Sequence, residues 1–170
     1  NTASGAKTYG KDNAGLYHGG DFAGITQKLD YLEDLGINTI WITPIVENIP
    51  GVKVTDTGKE DVPYNAAYHG YWASDFTKLN PTLGTEEEFQ TLIDQAHSRG
   101  IRIMVDAVFN HSGRKFEPWI DILEHGKESR YADWFMVEDW EQIGKRADTR
   151  DRRFYSFAFA DTMPKLDRKS

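Results

Sequence analysis

The chain has 170 residues, the length of one long domain or two short ones. Its 27 acidic against 20 basic residues leave a formal charge of -7, which argues against a nucleic-acid partner because phosphate binding needs a basic face. Hydrophobic content of 39% is enough for a core, no apolar run nears the ~20 residues that cross a bilayer, and the absence of cysteine excludes disulfides, thiolate catalysis and Cys-ligated zinc.

The chain starts Asn1-Thr2-Ala3-Ser4-Gly5 with neither Met nor an apolar signal region, as expected of an internal piece or of a chain whose leader was removed. Asn1 to Gly20 carry five glycines without periodicity and read as a loop. Ile25, Leu29, Leu32 and Leu35 then mark one face of a helix, with Gly36 placed to end it. Asn38–Thr43, β-branched and aromatic and stopped by Pro44, reads as a strand buried on both faces. The stretch from Pro44 to Gly84 reads as a loop of about forty residues, far above the usual 2–6 of a strand-to-helix connection. Thr85 and Glu88 form a capping-box pattern ahead of Phe89, Leu92, Ile93 and Ala96, and Gly100 closes that helix. Ile101–Val108 follows as a second buried strand. Helix, strand, loop, helix, strand is the order of a parallel α/β arrangement with right-handed crossovers.

Beyond Asn110 the pattern changes. Glu117 to Glu128 has helical character, and Ser129 to Ser170 mixes aromatics with charges as a small irregular subdomain would. Arg150, Arg152 and Arg153 are interleaved with Asp148 and Asp151, which favours a solvated, ion-paired surface over an anion site.

Two clusters carry the chemistry. Tyr68-His69-Gly70-Tyr71-Trp72, with Asp75 beyond, sets a flexible glycine among flat aromatic faces suited to sugar rings and their hydroxyl rims. Asp106-Ala107-Val108-Phe109-Asn110-His111 gathers a carboxylate, an amide and an imidazole at the C-terminal end of a strand. A carboxylate buried there needs hydrogen bonds, the amide oxygen suits a hard cation, and the imidazole can serve a hydroxyl.

Asp106 to His111 resembles the first signature region of the α-amylase family (glycoside hydrolase family 13), D-x-x-x-x-N-H. Tyr68–Trp72 with Asp75 resembles that family's loop after the second barrel strand, and Gly20-Asp21-Phe22-Ala23-Gly24-Ile25 resembles the opening of its first helix. Thr162-Met163-Pro164-Lys165-Leu166-Asp167 and Glu128–Phe135 are similar to segments of neopullulanases and cyclomaltodextrinases. The resemblance implies an α/β fold, a (β/α)8 TIM barrel with an inserted domain after the third strand. A whole barrel takes roughly 250 residues. A partial one is therefore expected, with Asn38–Thr43 and Ile101–Val108 as strands two and three and helices flanking them. Residues 1–111 would be the N-terminal part of the barrel and 112–170 the inserted domain B. The first strand would lie before Asn1 and the fourth to eighth after Ser170.

The same resemblance implies retaining hydrolysis of α-glucans such as starch, maltodextrin, pullulan or cyclodextrins. One carboxylate attacks the anomeric carbon while another protonates the leaving oxygen. Those groups and a third essential Asp belong to later strands, so no catalytic carboxylate is expected in this chain. Asp106 would order the site without attacking sugar. Tyr71 would stack on the sugar at the cleavage point, His69 and Trp72 would line the same wall, and His111 would bond the sugar's 6-hydroxyl. Asn110 would ligate a structural Ca2+ in many members, but Lys165 stands where they have Asp, and an ammonium cannot ligate a cation. A second Ca2+ site would use Asp21 and the carbonyl of Gly19. The expected partners are an α-glucan and the remainder of the barrel, with no nucleic acid and no membrane span. The competing reading is a non-catalytic, amylase-like module that binds glucan or protein. Compartment stays open, with export weakly favoured.

Overall fold

The Asp21 carboxylate accepts the Gly24 N–H at 2.7 Å and starts helix α1 (Phe22–Thr26). The chain then breaks where the sequence predicts one continuous helix. Thr26 Oγ1 donates to the Phe22 carbonyl at 2.9 Å and so competes with the ladder, and the Lys28 N–H turns back to Ile25 at 2.8 Å. A second helix, α2 (Leu29–Asp34), begins after it. Leu29 is buried in the core while Leu35 is 58% exposed, so the expected apolar face is only partly a core face. Gly36, at φ 76°, ends α2, and the Ile37 N–H returns to the Leu32 carbonyl at 3.0 Å.

The computed structural model describes residues 17–50, 52–53, 64–141, 143 and 163–167. After α2 come β1 (Thr39–Ile42), β2 (Val46–Asn48), β3 (Val52–Lys53), β4 (Tyr64–Asn65), β5 (Ala73–Leu79), α3 (Glu86–Ser98), β6 (Arg102–Val105) and α4 (Glu117–His125). Short 3-10 turns follow at Gly126–Glu128 and Ala132–Trp134. The stretch from Pro44 to Gly84 is therefore not a plain loop. It holds four strands, of which β3 and β4 pair antiparallel and β2 pairs with β5. The Arg150, Arg152 and Arg153 cluster, with Asp148 and Asp151, lies outside the described residues, as do Asn1 to Leu16.

The described residues fall into two compact units, one drawn from Asn1–Gly70 and Thr77–Asp106, the other from Tyr71–Phe76 and Ala107–Ser170. In the first, β1 and β6 pair parallel with Ile40 opposite Ile103 and Trp41 opposite Met104. Helix α3 sits between them in sequence and is capped as predicted, with both capping-box bonds formed between Thr85 and Glu88. Phe22, Leu29, Leu92, Ala96 and Ile101 form its core, and Ile40, Ile42 and Ile103 pack against them from the strands. Each fully buried leucine contributes about 1.5–3 kcal/mol.

Two-sided burial of the strands is not what forms. Trp41 is 69% exposed and Met104 48%, both on the face turned away from that core. Side chains alternate across a strand, and among the described residues one layer of helices covers only one face.

In the second unit, α4 opens with Pro118 in its first turn, where a missing N–H costs nothing. Trp119 and Ile122 from α4 join Phe135 and Ile143 in a separate core, with Phe116, Tyr131 and Leu166 packed around it. The Trp119 and Phe135 rings lie 4.9 Å apart, a tilted pair of the kind aromatic quadrupoles favour.

Candidate active-site wall

The clusters singled out in the sequence are divided between the two units. Gly19, Asp21, His69 and Asp106 belong to the first, and Tyr71, Trp72, Asn110 and His111 to the second. In the first unit, the Asp106 N–H extends the β6 ladder by donating to the Ile42 carbonyl at 3.0 Å, which places that carboxylate at the strand end as predicted. His69 stacks edge-on against Tyr68, with ring centroids 5.6 Å apart. Gly70 next to it is obligatory: its φ is 81°, and a Cβ there would lie 2.6 Å from the Pro44 carbonyl oxygen. A hollow of about 440 Å3 over the end of β1 is lined by Phe22, Ile25 and Ile42 together with Gly19, Asp21 and Tyr68.

The second unit brings four sequence-distant segments side by side. Residues 110–113 lie between 71–73 on one side and 163–166 on the other. His111 bridges Lys165 antiparallel, the Ser112 N–H donates to Pro164 at 3.0 Å, and the Leu166 N–H donates to Asn110 at 3.0 Å. The far side of 163–167 is taken by 134–136, through the Phe135–Leu166 bridge and the Asp167 N–H to Trp134 at 2.8 Å. Toward 71–73, the Gly113 N–H donates to the Ala73 carbonyl at 2.7 Å.

His111 is buried, at 3% exposure, and its Nε2 lies 2.8 Å from the Tyr71 carbonyl oxygen. A carbonyl only accepts, so Nε2 carries the proton and Nδ1 is left as the acceptor, 3.4 Å from the Asn110 amide nitrogen. Burial lowers the imidazole's pKa below 6.5, against a smaller opposing effect of the Tyr71 hydrogen bond, and the ring is held neutral. Tyr71 keeps 38% of its surface exposed whereas Trp72 keeps 9%. Of the two neighbours, the tyrosine is partly open to solvent and the tryptophan is buried.

The residues of the two cation sites implied by the resemblance have the following neighbours. Lys165 faces His111 beside Asn110, and the Asp21 Oδ1 is already used to cap α1. Among the described residues no group of three or more His, Cys, Asp or Glu converges. No helix among the described residues is long and apolar enough to cross a membrane.

Sequence reasoning missed Gly113. A glycine two residues past His111 carries no periodic signal, and only the geometry shows how closely its backbone lies against Trp72 and Ala73.

Residues 2–170 match the family described as the alpha-amylase catalytic domain. The chain belongs to the alpha-amylase family. It is 39% identical to an intracellular maltogenic amylase of Bacillus subtilis over 164 residues, which are 95% of this chain and 24% of that protein. Among solved structures, a cyclomaltodextrinase matches at a TM-score of 0.74 and 32% identity, covering 94% of this chain and 24% of the other. The type III pullulan hydrolase from Thermococcus kodakarensis matches at 0.69 and 36%, covering 88% and 23%. The chain thus spans about a quarter of the relatives it matches. Within the family's (β/α)8 barrel, the parallel pair β1–β6 and the helix between its strands are one portion of the α/β scaffold.

Proposed function

We propose that the protein containing this chain is a retaining hydrolase of α-glucans, and that this chain supplies part of its sugar cleft and none of its catalytic carboxylates. The observation that carries the reading is the partly exposed Tyr71 ring on a backbone bonded to buried His111, in a chain whose relatives are named maltogenic amylase, cyclomaltodextrinase and pullulan hydrolase. Tyr71 would offer its face to the apolar side of a glucose ring, with buried Trp72 beside it in the same wall. In the first unit, His69 and Asp106 are the residues to which the family pattern gives sugar-binding and site-ordering roles. His111 already donates its Nε2–H to the Tyr71 carbonyl, so a sugar hydroxyl would meet it by donating to Nδ1 or by taking that carbonyl's place as acceptor. Residues 1–111, which hold all of these groups, would serve as the N-terminal part of the barrel, and residues 112–170 as the inserted domain B.

A stacked aromatic ring contributes about 0.5–1.5 kcal/mol beyond its buried area. Tyr71→Ala in the full-length protein should therefore lower kcat/KM on maltooligosaccharides about tenfold. Tyr31→Ala, at a 60% exposed site on α2, should leave it unchanged. Equal kcat/KM for Tyr71→Ala and the parent, or no turnover by the parent on any α-glucan, would sink the reading. The non-catalytic alternative predicts the second of those results, with glucan binding retained.

A further inference from the structure

The backbone under Tyr71 is held by a contact that only a glycine allows. A Cβ built on Gly113 would stand 2.6 Å from the Trp72 carbonyl oxygen, 2.8 Å from its carbonyl carbon and 2.9 Å from the Ala73 carbonyl oxygen. All three are backbone atoms, so no rotamer change relieves the overlap. Gly113 is absent from the glycines with positive φ, so the position requires space and not left-handed backbone freedom. The close approach is what lets two bonds form along one edge. The Gly113 N–H reaches the Ala73 carbonyl at 2.7 Å, and the His111 Nε2–H reaches the Tyr71 carbonyl at 2.8 Å.

We propose that Gly113 is a positioning residue for the sugar-stacking wall, its missing side chain setting the depth at which the Tyr71–Ala73 backbone, and with it the Tyr71 ring, stands. This assignment rests on the reading of Tyr71 as the stacking residue and adds what fixes its place. An added methyl must push residues 71–73 outward until the contact reaches an ordinary separation, a movement of ~0.5–1 Å. Misplacement of a substrate-orienting group by about 1 Å costs up to about a hundredfold in rate.

The test is a cycle of four full-length proteins: parent, Gly113→Ala, Tyr71→Ala and the double variant. For each, kcat/KM on a soluble maltooligosaccharide is measured below its thermal midpoint. Gly113→Ala should lose about 10- to 100-fold. In the Tyr71→Ala background the same change should cost twofold or less, because a ring that is absent cannot be misplaced. With Tyr71→Phe, which keeps the ring, the full Gly113→Ala loss should return. A loss of equal size in all backgrounds assigns Gly113 to stability alone and overturns the proposal. So does a Gly113→Ala variant that is fully active, or one that folds at no temperature where the parent works. If Tyr71→Ala has no effect, the stacking reading has failed first. If the parent turns over no glucan, the same cycle run on cyclodextrin dissociation constants decides the point.

Discussion

His111 ties chemistry to folding at the scale of a single residue. Its ring is neutral because burial penalises the imidazolium, and while the Nε2–H bond to Tyr71 would serve either form, only the neutral ring keeps a lone pair on Nδ1 toward Asn110. With the folded pKa depressed, the unfolded chain binds more protons, so stability rises with pH across the window. His111 should cost nothing above about pH 7. It should become destabilising as pH falls below 6.5, the loss levelling once the folded-state pKa is passed. Denaturant titrations of the full-length protein at pH 7.5 and 5.5 test this. The parent should lose more stability between the two than His111→Gln, and equal losses would refute a buried neutral imidazole. Residue identity made this cluster legible in the sequence: Tyr71, Asn110 and His111 are chemically distinctive and stand in recognisable strings. Gly113 was not, since a small residue chosen for space looks like any other loop glycine.

Elements were legible where the local signal and the packing agree. The α3 capping box is written in Thr85 and Glu88, and it forms. Thr85→Ala should cost about 1 kcal/mol of stability, and Glu88→Ala less, because only the reciprocal bond to the Thr85 N–H is lost. Chemical denaturation with an unchanged m-value would confirm a local effect, and no loss from Thr85→Ala would contradict it. The α1–α2 break was illegible for a different reason. Leucine spacing registers which face is apolar, not whether a threonine hydroxyl competes for a carbonyl at the joint. Strand β5 was missed because Ala73–Leu79 reads ASDFTKL, with no clean alternation. Its burial follows from neighbours far away in sequence, and side-chain context outweighs intrinsic strand preference.

At the scale of the whole molecule, the expected two-faced burial of β1 and β6 depended on a second covering layer. Trp41 and Met104 are exposed along that face, and among the described residues the two parallel strands leave open edges on both sides. The 170-residue polypeptide on its own should therefore bind a hydrophobic dye and self-associate, as read by light scattering, and should hydrolyse no α-glucan. Trp41→Lys should reduce the association. A monodisperse, dye-free polypeptide, or one with measurable turnover, would contradict that account of the face and of where the catalytic carboxylates reside.

The ribbon of segments 71–73, 110–113, 163–167 and 134–136 also bears on when the wall comes into being. Neighbours in that ribbon are remote along the chain, and closing such loops uses up entropy before any contact repays it. Helix α3 can form from its own cap and its own turns as soon as it is synthesised. Tyr71 is made earlier still, yet its support waits until His111 and Gly113 arrive, and theirs until Pro164 to Leu166 follow. Tyr71 is thus synthesised before the residues that support it and finds its place only after they have arrived.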